Sequence, residues 1–214
     1  HGTLFADVER KLDLYLRALW QEREQLVPYS TAFDELRKPV PYYDKLGIRL
    51  PDVYDDIVPS SPDEPITVRP ELVEGLCGST SSPRTVNRVL GLDRYRAVLA
   101  HIAGHRRWTS AIFADNFSPF QRMAAEFLED SRVEYLVMRE YPGLRRLFMV
   151  LHPIPVEDAC DPEQESGVRH RLAMLSRAIL DLQHPYKNPH IVEFARRFHD
   201  LMQHSDSSTE EIAD

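Results

Sequence analysis

The sequence predicts an all-α fold, a helical, bundle-like single domain whose N-terminal third is irregular and proline-rich. Three observations carry this reading. Apolar residues recur at helical spacing near the N-terminus and through most of the chain from Arg84 onward. Helix start signals stand at Ser118-Pro119 with Gln121, and at Asn188-Pro189, where a capping residue precedes a first-turn proline. Alternating apolar and polar runs never exceed a few residues, so a sheet is not expected.

Taken in order, Phe5, Val8, Leu12, Tyr15, Leu16 and Leu19 give Leu4 to Leu26 one apolar face and predict a long amphipathic helix. The chain has sixteen prolines against eight glycines, and nine of the prolines fall between Pro28 and Pro83. Residues 28–83 therefore read as an extended arm with short helical turns, Gly47-Ile48-Arg49-Leu50-Pro51 being its one compact apolar knot. A short helix is expected over Glu71–Leu76, followed by a pliable Gly78–Pro83 stretch. Helices are then expected over Leu92–Trp108, Pro119–Glu140, Leu144–Leu151, Ser166–Gln183 and Pro189–His204. Residues 1–204 make up the helical domain, and 205–214 read as a polar tail or linker.

The composition excludes several function classes. A net charge of -8 with a pI near 5.6 argues against a general binder of nucleic acid or anionic membranes. Apolar runs fall well short of the roughly 20 residues a membrane span needs. Cys77 and Cys160 match no zinc or redox spacing and read as reduced thiols in a cytoplasmic protein. The chain begins His1-Gly2-Thr3 without a methionine and so reads as trimmed; if the polar, acidic 205–214 stretch is the start of a linker, the chain is expected to be a piece of a longer protein.

The expected helix at Pro119–Glu140 holds the most telling chemistry. Its apolar stripe is Phe120, Met123, Phe127 and Met138; Glu134 falls inside that stripe and Asp130 at its edge. A carboxylate buried there must be paired, hydrogen-bonded or protonated. On the preceding helix, His101 and His105 are four residues apart and point the same way, so they can share a metal ion. A third ligand could come from Glu126, Glu129, Asp130 or Glu134. Zinc peptidases place a glutamate directly after the first histidine as general base, and here that residue is Ile102. Two readings stand side by side. One is a buried ion network of His101, His105, Asp130, Arg132 and Glu134 that stitches the two helices; the other is a metal site on His101, His105, Asp130 or Glu134. The run His105-Arg106-Arg107-Trp108 reads as a cationic helix C-terminus with an anchoring tryptophan. A glycine-rich phosphate loop, a nucleophile elbow and a complete set of catalytic residues are all missing from the sequence.

The stretch from His101-Ile-Ala-Gly-His105-Arg-Arg-Trp108 through Asp115-Asn-Phe-Ser-Pro119 and Glu129-Asp-Ser-Arg-Val-Glu134 to Tyr141-Pro-Gly-Leu-Arg145 resembles one protein family. That family is the von Willebrand factor A adaptor proteins of the CbbO and NorD type, in their N-terminal half. Tyr15–Trp20 and Gly47–Asp52 are similar too, and the Glu-Asp-x-Arg-x-Glu element also resembles one in a cobaltochelatase subunit. The resemblance implies a non-catalytic partner of a hexameric MoxR-type AAA+ ATPase, of the CbbQ type. That pair would act on inhibited rubisco to release sugar phosphates. A NorD-type role in nitric oxide reductase maturation is the alternative within the family. A metal-dependent hydrolase on His101, His105 and a carboxylate of the next helix is the alternative outside it. The resemblance also implies that ATP and Mg belong to the partner ATPase and that this domain holds no cofactor of its own. The Asp-x-Ser-x-Ser adhesion motif of the A domain is absent from these 214 residues, as expected if 205–214 leads toward a C-terminal A domain.

Overall fold

The computed structural model describes residues 2–31, 40–57, 89–113, 115–160, 166–204 and 208–213. The expected Glu71–Leu76 helix, the Gly78–Pro83 stretch, Cys77 and much of the proline-rich arm lie outside these residues. The described chain is mostly helical, but it also carries two small sheets, which corrects the all-α expectation. It divides into two compact units: residues 1–103 with 143–151, and residues 104–142 with 152–214. The division falls within one unbroken helix.

The first unit opens with β1 (Gly2–Leu4) and α1 (Phe5–Tyr15), which buries Phe5, Val8 and Leu12. A π-helical turn over Leu16–Trp20 follows, and Gln21, at φ 56° in the left-handed region, ends the helix short of the expected Leu26. Residues Leu26–Tyr29 form β2 instead, followed by β3 (Tyr42–Asp44), β4 (Gly47–Pro51) and β5 (Val53–Asp55). β1 pairs antiparallel with β5, while β4 lies between β2 (parallel) and β3 (antiparallel). The apolar knot of the sequence is therefore a central strand. Alternation is hard to read in it because Ile48 and Leu50 point into the core while Gly47 and Pro51 are also buried.

Gly47 is required by geometry. Its φ is +128°, and a Cβ there would sit 2.0 Å from the Gln25 carbonyl oxygen, close to where the Ile48 amide donates to that oxygen at 2.8 Å. Tyr95 anchors this unit: its hydroxyl donates to the Pro51 carbonyl at 2.7 Å, and its ring meets Phe5 and Tyr54 edge-on. Tyr95 lies on α2 (Gly91–Trp108), the helix that continues into the second unit. Val89 and Ala97 pack with Leu147 and Leu151 of α4 (Arg145–Leu151), which follows a short 3-10 turn at Pro142–Leu144.

The second unit is helical. It contains the last turn of α2, α3 (Pro119–Glu140), α5 (Gly167–Leu180), α6 (Pro189–His204) and α7 (Thr209–Ala213). α3 begins where the capping box places it, the Ser118 hydroxyl accepting from the Gln121 amide while the Gln121 side chain accepts from the Ser118 amide. α6 starts at the expected Asn188-Pro189, with the Asn188 side chain accepting from the His190 amide at 3.0 Å. Glu157 holds the approach to α6, accepting from the backbone amides of Lys187 and Asn188. Residues Thr209–Ala213 lie within the stretch read as a tail, yet they form a helix whose Thr209 is buried.

Candidate functional site

Gly104 sets the distance between α2 and α3. A Cβ at this position would meet Val133 Cγ1 at 2.7 Å and Val137 Cγ2 at 2.9 Å, closer than side chains tolerate. Val133 and Val137 follow Asp130 by three and seven residues, so that face of α3 carries Asp130 to the end of α2. His105 Nε2 lies 3.0 Å from Asp130 Oδ1. His105 Nδ1 lies 2.8 Å from Thr109 Oγ1, just beyond the helix end.

A buried ion pair stands behind that contact. Arg132 donates through Nε to Glu129 Oε2 and through Nη2 to Glu129 Oε1, both at 2.8 Å, in a two-point geometry. Arg132 Nη2 also donates to the Trp108 carbonyl at 2.6 Å, satisfying a carbonyl that the end of α2 leaves open. Glu129 Oε1 further accepts from the Thr109 hydroxyl at 2.7 Å and the Thr209 hydroxyl at 3.0 Å, while Thr209 Oγ1 accepts from the Ser110 amide. One carboxylate thus joins α3, α7 and the end of α2. Both charged side chains are buried, so the pair stands in for the water each group has lost.

Of the residues singled out in the sequence, His105, Asp130 and Arg132 come to this corner. His101 stands one turn before His105 on the unbroken α2. His101 and His105 are half-buried and Asp130 is exposed. Glu134 is buried as its place in the stripe requires, and its carboxylate lies 4.0 Å from His152 Nε2. Arg132 pairs with Glu129, which the sequence reading places outside the network. The apolar stripe is buried only in its second half: Met138 is buried, Met123 and Phe127 are half-buried, and Phe120 is 62% exposed.

A second polar cluster was not legible in the sequence. His152 Nε2 lies 2.9 Å from Ser176 Oγ, which is 2.6 Å from Ser131 Oγ, and His152 Nδ1 lies 3.2 Å from the Pro153 carbonyl. Burial pushes the His152 pKa down, with the nearby Glu134 carboxylate pulling it up and losing. Serine, histidine and glutamate meet here, but not as a hydrolytic triad. Glu134 approaches the same nitrogen as the serine, and the other nitrogen faces a backbone carbonyl.

Beside His105 and Asp130 a cavity of about 350 Å³ opens, lined also by Thr109, Arg122, Glu126 and Glu129. Compared with protein-family models, with curated proteins and with solved structures, the chain matches none. Among the described residues no helix is long and apolar enough to cross a membrane.

Proposed function

We propose that this chain is a non-catalytic adaptor domain that works in the cytoplasm with a hexameric MoxR-type AAA+ ATPase. Its client on this reading is inhibited rubisco, from which the complex releases sugar phosphates; ATP and Mg act in the partner ring. The family motif Glu129-Asp130-x-Arg132-x-Glu134 suggests the class of protein. The observation that favours a non-catalytic role is the condition of Glu129 and Arg132. Their charges face each other, Arg132 also donates to the Trp108 carbonyl, and Glu129 also accepts from two threonines. A general acid or base must be able to exchange a proton with substrate, and a carboxylate held this way is poorly placed to do so. The polar residues of the motif serve as architecture.

NorD-type maturation of nitric oxide reductase rests on the same motif, and the client separates the two. A metal-dependent hydrolase on His101, His105 and a carboxylate of α3 has one observation in its favour, the approach of His105 to Asp130. It lacks the base that Ile102 replaces.

The deciding experiment is a pull-down from the native host with the 214-residue chain as bait and a slowly hydrolysed ATP analogue present, read by mass spectrometry. Recovery of a MoxR-type ATPase together with rubisco supports the proposal, and recovery with reductase subunits selects the NorD-type role. If neither ATPase nor client is enriched over an unrelated acidic helical bait, the adaptor reading fails for this part of the protein.

A further inference from the structure

We propose that the cavity beside α3 binds a free α-amino acid with an apolar side chain, its carboxylate held by Arg122 and its ammonium by Glu126. The proposal is independent of the adaptor reading and survives its failure. The residues that line the cavity belong to the second unit. Its volume of about 350 Å³ falls among sites that hold small molecules. Ile112 and Phe117, from the connection before α3, form its apolar walls with Ala125 of α3 and Ala213 of α7. The α7 wall is fixed in place, because the Thr209 hydroxyl donates to Glu129 at 3.0 Å. A site formed in advance loses less entropy when it is filled.

The charges that line the cavity select the ligand. Arg122 and Glu126 stand one turn apart on α3, about 6 Å along the axis. Opposite charges at that spacing commonly pair, but these do not. Arg122 donates through Nε to the Phe117 carbonyl at 3.2 Å, which draws the guanidinium toward the start of α3 and away from Glu126. Among the described residues, the terminal nitrogens of Arg122 have no acceptor and the Glu126 carboxylate has no donor. An anion site and a cation site thus lie next to each other beside an apolar wall. A free amino acid carries both charges and its side chain on a single carbon, and its carboxylate suits the two terminal nitrogens of a guanidinium. A plain amine would leave Arg122 unanswered, and a plain carboxylate would leave Glu126 unanswered. A dianion such as phosphate is opposed by Glu126 and by Asp130, which lines the same cavity.

The test titrates the whole 214-residue chain with L-leucine and with L-phenylalanine, followed by the backbone amide signals in NMR. Saturable shifts at Ile112, Ala125, Glu126 and Ala213 are expected, together with a raised Tm. Leucinamide keeps the ammonium without the carboxylate, and N-acetylleucine keeps the carboxylate without the ammonium. Each should bind about 10–100-fold more weakly than L-leucine. Arg122→Gln should remove the preference for leucine over leucinamide, and Glu126→Gln the preference over N-acetylleucine. Both variants should keep the parental circular dichroism, since both side chains are exposed. Ala125→Leu should abolish binding by filling the cavity. Absence of saturable shifts with either amino acid at millimolar concentration overturns the proposal. Equal affinity for leucine, leucinamide and N-acetylleucine overturns it too, because the cavity then reads only the apolar side chain. Preferences unchanged in both charge variants would do the same, by placing the ligand elsewhere.

Discussion

Replacing Arg132 by methionine tests whether the Glu129–Arg132 pair organises the helical unit. Methionine fills much of the same space but leaves Glu129, 7% exposed, without its guanidinium and leaves the Trp108 carbonyl without its donor. Breaking a buried pair by removing one partner costs about 3–5 kcal/mol. The hydroxyls of Thr109 and Thr209 remain on Glu129 Oε1 and offset part of that, which places the expected loss near the lower end, about 3 kcal/mol. For a chain of this size that corresponds to a Tm lower by about 6–12 °C. Urea unfolding followed by circular dichroism would measure it, for Arg132→Met, for Glu129→Gln and for the double variant. The double variant should lose less than the sum of the single losses by about 1–3 kcal/mol, because the second change removes a partner already abandoned. Strict additivity, or a single variant within about 0.5 kcal/mol of the parent, would refute the claim that the pair acts as a unit.

Three further outcomes follow from particular residues. Gly104→Ala should lower stability by about 1–2 kcal/mol in thermal melts, since overpacking against Val133 and Val137 outweighs the roughly 1 kcal/mol that alanine gains in a helix; a more stable variant would contradict the close helix approach. Gly47→Ala should cost about 3 kcal/mol or more, because both its φ of +128° and the Gln25 carbonyl oppose a side chain; unchanged hydrogen-exchange protection of the Ile48 amide would count against this. Burial holds the pKa of His152 down, and that of His199 likewise. The unfolded imidazoles take up protons near pH 6.5 while the folded ones resist, so this contribution is intact above about pH 6.5 and is lost as the pH falls through that value toward the folded pKa. Tm should therefore fall between about pH 7.5 and about pH 5.5, and less steeply in His152→Gln; an equally steep fall in that variant would remove His152 as the cause.

The helical part of the fold was written in local signals. Ser118, Pro119 and Gln121 mark the start of α3, and Asn188 with Pro189 marks α6, because a cap satisfies amides that belong to its own first turn. The sheets were not legible, since their strands are three to five residues long and are defined by partners distant in sequence, such as Leu26 with Ile48 and Gly2 with Asp55. α1 stops early because of a backbone turn at Gln21 that periodicity cannot register.

For the polar residues the division is equally physical. From the sequence alone, helical spacing was enough to bring His101 and His105 onto one face, and the apolar stripe was enough to bury Glu134. Tertiary structure chose the partners. The sequence offered Glu126, Glu129, Asp130 and Glu134 as third ligands, and Asp130 and Glu134 as the carboxylates of an ion network. The packing of α3 against Gly104 and Thr209 gave Asp130 to His105, Glu129 to Arg132 and Glu134 to His152. A periodic pattern specifies the direction in which a side chain leaves its own helix. Which group it meets depends on the distance and rotation of a second helix, and here those are decided by a missing Cβ at Gly104 and by a threonine 80 residues from Glu129.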